Sequence, residues 1–164
     1  MNATAIVYTS ATGFTARYAA LLSEKLGVPA HPLADALTTL PAGTPVIYMG
    51  WLMAGMVKDY PKAAKRFAIE AVIGVGLGDT GAPDDAARKA CKLPAEVPVF
   101  TVQGGMDHAR LKGGYKIGIS ILTKAMAAKK NRTPGEDRMV QLLQQGGDFV
   151  SEKELAAVLA WAAK

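Results

Sequence analysis

The chain has few side chains of the kinds that usually carry chemistry. Cys91 is the only cysteine among 164 residues, so no internal disulfide can form, and a reducing, cytoplasmic setting is expected. Its place in the polar run "DDAARKACK" suits a structural thiol better than a reactive one. The two histidines, His31 and His108, lie far apart with no acid or cysteine cluster beside them, which argues against a metal centre. No Ser-His-acid motif is visible, and no catalytic side chain is assigned. No apolar stretch approaches the roughly 20 residues needed to span a bilayer. The first residues, "MNATAIVYTS", lack the basic start and long apolar run of a secretory leader, so none is expected. There is no G-x-x-x-x-G-K-[ST], and no G-x-G-x-x-G follows the first apolar run; the glycines of "GVGLGD" do not form that fingerprint. Internal repeats and low-complexity tracts are also missing. What remains is a balance of 50% apolar and 20% charged residues, which implies one globular domain over 1–164.

Apolar runs alternate with helix-like runs along that domain. "TAIVYT", "TPVIYMGW", "AVIGVGLG" and "VPVFTVQGG" read as strands, and "VPAHPL", with two prolines, as an edge strand. The segments "FTARYAALLSEKLG", "KDYPKAAKRFAIE", "APDDAARKACKL" and "SEKELAAVLAWAAK" read as helices. Gly27 is expected to end the first of these, Pro61 to sit in the first turn of the second, and Ser151 with Glu154 to form a capping box on the last. "LTTLPAG" reads as a loop. The main strands are continuous apolar runs, which favours a parallel sheet covered on both faces. The fold class is therefore α/β, a doubly wound parallel sheet. An insertion over about 106–150 follows the last strand, with helices expected in "GYKIGISILTKAMAAKK" and "GEDRMVQLLQQG".

The loop "TSATGFT" follows the first strand and opens the first helix. In a parallel sheet, ligands bind outside the carboxyl ends of the strands. A helix start offers unpaired N–H groups and a favourable dipole to an anion. Gly13 permits close approach, and Ser10, Thr12 and Thr15 add hydroxyls without any lysine. Two readings stand at this point: a phosphate held by neutral donors, or a Ser/Thr cap after a strand.

"SATGFT" matches [ST]-x-T-G-x-[ST], and in this motif and its strand–helix rhythm the chain resembles the flavodoxin family. The resemblance implies a five-stranded sheet in the order 2-1-3-4-5, with FMN at the strand ends. Ser10, Ala11, Thr12, Gly13, Phe14 and Thr15 would hold the phosphate. The loops "GWLMAG" and "GLGDTG" would flank the flavin ring through Trp51, Leu52, Met53, Ala54 and Gly55 on one side and Leu77, Gly78 and Asp79 on the other. Trp51 would stack on the ring or pack over the next helix, and a backbone group near Gly55 would tune the flavin. The chain departs from the family at Phe14, where asparagine is frequent, and in "GLGDTG", which has no aromatic residue. His108 or Tyr115 of the insertion would supply the missing cover.

The net charge is +5. Much of it lies in the insertion, in Arg110, Lys112, Lys116, Lys124, Lys129, Lys130, Arg132 and Arg138, with Asp107, Glu136 and Asp137 among them. Ile117, Ile121, Leu122, Ala125 and Met126 are expected near one face of the first inserted helix. Such a basic amphipathic helix suits packing on its own domain, a partner, or peripheral contact with a membrane. Aromatic residues are not interleaved along the basic run, so nucleic acid is not expected. In layout the chain is similar to the flavodoxin-domain proteins related to menaquinone-dependent protoporphyrinogen oxidase. That similarity implies an FMN redox protein, an electron carrier or an oxidoreductase, working with a quinone or a redox partner protein. The alternative is a flavin-free interaction module on the same fold.

Overall fold

The computed structural model describes residues 1–164. Its strands are β1 (Ala5–Thr9), β2 (Ala30–Pro32), β3 (Pro45–Met53), β4 (Met56–Val57), β5 (Ala68–Gly76), β6 (Val99–Gln103), β7 (Gly105–Met106) and β8 (Gly147–Asp148). Its helices are α1 (Phe14–Leu26), α2 (Leu33–Thr39), α3 (Tyr60–Ala64), α4 (Asp84–Cys91), α5 (Gly113–Ala128), α6 (Pro134–Gln145) and α7 (Ala156–Ala162), with a 3-10 turn over Glu152–Leu155. The main sheet runs β2-β1-β3-β5-β6, and all of these pairs are parallel. Counting only those five strands, the order is 2-1-3-4-5, so the fold is doubly wound α/β with a flavodoxin-like strand order. The other two pairings are antiparallel: β4 folds back on the end of β3, and β7 pairs with β8 across the insertion.

Both faces of each central strand are buried, which is why the strands read as unbroken apolar runs. Val7, Val46, Tyr48 and Val72 face a layer that includes Ala36 of α2, Ala63 of α3 and Ala87 of α4. Ile6, Ile47, Met49 and Ile73 face the opposite layer, built on Tyr18 and Leu22 of α1 and Val158 of α7. Ile6, Ile47 and Ile73 are wholly inaccessible, and such burial contributes about 1.5–3 kcal/mol per side chain. Cys91 lies in the first layer, and its Sγ accepts the Val57 N–H at 3.2 Å, a structural role.

Gly27 does cap α1, with φ 66° and its N–H bonded to Ser23 O at 2.9 Å. Pro61 sits in the first turn of α3. Short β2 occupies the sheet edge that its prolines suggested.

Three expected elements differ. The helix expected through "KDYPKAAKRFAIE" stops at Ala64, and "AIE" opens β5: Ala68 and Ile69 pair with Pro45 and Val46 of β3, and that tertiary pairing outweighs the helix propensity of Ala and Glu. The first three residues of the expected loop "LTTLPAG" are helical: α2 runs to Thr39, with Leu33 and Ala36 buried. Ser151 makes no side-chain cap. The Glu154 carboxylate instead accepts the Thr80 hydroxyl, and only a 3-10 turn forms before α7. The capping box lies elsewhere, on α6, where Thr133 Oγ1 accepts the Glu136 N–H at 3.2 Å and Glu136 Oε2 accepts the Thr133 N–H at 2.9 Å.

Candidate functional site

β1 connects through α1 to β2 on one side, and the chain then crosses to β3 on the other. The carboxyl ends of β1 and β3 therefore flank a topological switch point, the usual place for a ligand in such sheets. A cavity of about 560 Å³ opens there, within the usual size range of small-molecule sites.

The loop after β1 forms its polar end. Gly13 is the N-cap of α1 with φ 97°, and no side chain caps the helix. The Ser/Thr helix-cap reading of this loop is therefore not what forms. Ser10 braces the turn from inside, its Oγ accepting the Gly13 N–H at 3.2 Å. Arg17 is the first α1 residue whose N–H reaches a helical carbonyl, that of Gly13 at 3.0 Å, so the N–H groups of Phe14, Thr15 and Ala16 have no partner within the helix. Thr15 is 2% exposed and lines the cavity.

Ala11, Thr12, Phe14, Thr15, Trp51, Leu52, Met53, Ala54 and Leu77 all border this cavity. Leu52 lies across β5, where Gly74 and Gly76 leave it room: a Cβ on either would come within 2.9 Å of it. Ala54 and Gly55 form the two-residue turn between β3 and β4, both at positive φ (50° and 80°), as a tight hairpin demands. Gly55 itself faces Ala86 and Ala90 of α4, away from the cavity. Gly78 and Asp79 border a neighbouring cleft beside α6, where Asp79 pairs with Arg138 at 2.8 Å. The loop carrying them is tied down by Gln103, whose Nε2 donates to Leu77 O (3.1 Å) and whose N–H donates to Thr80 Oγ1 (3.0 Å).

Phe14, the departure from the family pattern, packs its ring on the β7 backbone; a Cβ on Gly105 would lie 2.6 Å from its Cε1. An apolar anchor for the insertion thus stands where a polar contact would be. Trp51 borders the cavity and meets Tyr115 of α5 edge to face, at 5.2 Å and 88°. Leu111, Tyr115, Ile119 and Leu122 of the insertion also line the cavity. His108 lies outside this cavity, in a separate polar cleft with Arg17 and Arg110. In that cleft a hydrogen bond from Arg17 at 2.5 Å holds the Asp148 carboxyl below its ordinary range.

The residues expected near one face of α5 are divided between the cavity side and the outer surface. Ile119 and Met126 turn inward and Leu122, though 44% exposed, lines the cavity, whereas Ile117 and Ile121 are each 64% exposed. The positively charged neighbours of the loop, Arg110 and Lys112, were visible only as part of a basic run.

Two buried tyrosines hold the ends of the site. Tyr18 of α1 donates to Gln103 O at 2.5 Å, and burial pushes its hydroxyl up to about 12. Tyr48 of β3 donates to Lys58 O at 2.5 Å and bonds Thr9 Oγ1 at 2.9 Å; burial raises its hydroxyl further. No family model, curated protein or solved structure matches the chain.

Proposed function

We propose that the chain is an FMN-binding, flavodoxin-like redox protein of the cytoplasm. One observation carries this reading: an apolar cavity at the switch point ends at an uncharged helix start whose first-turn N–H groups have no partner within the helix. That combination suits a flat aromatic ligand with a phosphate tail. Thr12, Thr15 and the first-turn N–H groups of α1 would hold the phosphate. Trp51, Leu77 and Tyr115 would wall the ring and exclude water. The Ala54–Gly55 peptide, held at two positive φ angles, is the backbone element suited to adjust a hydrogen bond to the ring. When bound, FMN supplies the redox chemistry by accepting and releasing electrons, so no side chain is needed as acid or base.

The experiment is a titration of fixed FMN with purified protein. Quenching of flavin fluorescence that saturates at one FMN per chain is expected. Colourless protein with no quenching would instead favour the flavin-free interaction module.

For the partner, the same reading takes a quinone or redox protein, reached at a membrane surface. Ile117 and Ile121 project from α5 beside Lys116 and Lys124. From Lys112 to Arg132 there are six cations and no acid. Apolar side chains among cations suit an anionic bilayer. A symmetric pairing of two α5 helices would set these cations against each other. The protein is expected to sediment with phosphatidylglycerol vesicles and not with phosphatidylcholine ones. The double variant Ile117→Ser, Ile121→Ser should lose this sedimentation and keep FMN affinity. Equal sedimentation of variant and wild type would remove α5 from the contact, and retention instead by an acidic protein partner would replace the membrane.

A further inference from the structure

We infer that Arg110, assisted by Lys112, is a cationic clamp over the phosphate end of the ligand, supplied by the insertion to a loop that has no charge of its own. This rests on the flavin reading above and assigns residues that the loop motif does not contain.

Arg110 lies directly on the loop. Its Nη1 donates to the Thr12 carbonyl at 3.2 Å, and a Cβ on Gly13 would lie 2.6 Å from the same nitrogen. Gly13 is needed for its positive φ, and the Arg110 guanidinium lies directly above it. The guanidinium is held from the other side. Asp107 Oδ2 meets Arg110 Nε at 3.2 Å, and a tight turn fixes the spacing, with the Arg110 N–H bonded to Asp107 O (3.2 Å) and the Ala109 N–H to Asp107 Oδ1 (3.0 Å). A guanidinium carries five N–H donors, and these contacts leave some of them without a protein partner. Arg110 is 62% exposed, so it can meet a ligand without opening the fold.

The surroundings select for an anion. Thr12, Gly13, Arg110, Lys112 and Tyr115 line one cleft of about 610 Å³, and no carboxylate lines it. Lys112 is the N-cap residue of α5 and pairs with no acid. The cleft shares Thr12 with the apolar cavity, so a ligand whose ring fills the cavity would present its tail beneath Arg110. A planar fork suits a phosphate's oxygens better than a single ammonium does.

The clamp separates FMN from riboflavin, which differ only in the phosphate. Affinities for both should be measured by fluorescence quenching with wild type, Arg110→Ala, Arg110→Lys and Lys112→Ala, at low and high salt. Arg110→Ala is expected to weaken FMN about 10- to 100-fold, as loss of a charge-assisted hydrogen bond does, and to leave riboflavin unchanged. Arg110→Lys should recover part of the loss, and Lys112→Ala should cost less than Arg110→Ala. The wild-type preference for FMN should shrink in high salt. Unchanged FMN affinity in Arg110→Ala, or equal losses for FMN and riboflavin, would overturn the clamp while the flavin reading stands. A wild type that binds neither flavin overturns both.

Discussion

Replacing Thr12 with glutamate is expected to weaken FMN binding about a thousandfold and leave the thermal midpoint close to that of wild type. Thr12 is only half-buried and lines the cavity at its polar end, where the phosphate is assigned. A carboxylate there would face a like charge. Two unit charges about 4 Å apart repel by about 4 kcal/mol near a protein surface, close to three factors of ten in affinity. The introduced carboxylate would also compete for Arg110, whose Nη1 already bonds the Thr12 carbonyl, and so draw the cation from the phosphate. Both effects act in the same direction. Riboflavin carries no phosphate and should bind the variant nearly as well as it binds wild type. Parallel titrations with the two flavins decide the matter. If Thr12→Glu keeps its FMN affinity, the phosphate is not at this loop.

The second large effect concerns stability. Tyr48→Ala should cost about 3–5 kcal/mol, the usual loss for a large aromatic side chain removed from a core. Tyr48 is wholly inaccessible in β3, and its ring packs against Tyr60 at a centroid distance of 6.3 Å. Its hydroxyl joins Thr9, the last residue before the loop, to the Lys58 carbonyl just beyond the β3–β4 hairpin. Removing the side chain leaves a void and a carbonyl without its donor. Small domains have about 5–15 kcal/mol in all, so the variant should unfold at much lower denaturant. Tyr48→Phe keeps the ring and should lose only about 1–2 kcal/mol. Urea unfolding of both variants separates ring from hydroxyl. A phenylalanine variant as unstable as the alanine one would mean that the hydroxyl bridge, and not packing, holds β3 to the loop.

The order of elements was largely legible because local patterns reflect local physics. The runs around Ile6, Ile47, Ile73 and Val102 are apolar at successive positions because both faces of the sheet are covered, and that same feature implied a parallel, doubly wound arrangement. "TSATGFT" was recognisable as a strand-to-helix loop because glycine and hydroxyl residues have restricted uses there. The errors occurred where tertiary pairing outweighs propensity. Ala68–Glu70 joined β5 because β3 was beside it, and Glu154 left the expected capping box because Thr80 was within reach.

The sequence by itself determined the alternation of strands and helices, the bend at Gly13, the end of α1 at Gly27 and the presence of a basic insertion. These depend on φ preferences, hydrogen-bond periodicity and composition, which act over a few residues. Only the tertiary structure decided what the insertion does. It turned Ile119 and Leu122 into the cavity and left Ile117 and Ile121 outside, a choice set by the surface α5 packs against and not by its own periodicity. It also brought Arg110 onto Thr12 across 98 positions of chain. No local pattern encodes such a contact, because it depends on how Phe14 and the β7–β8 pair anchor the insertion over the loop.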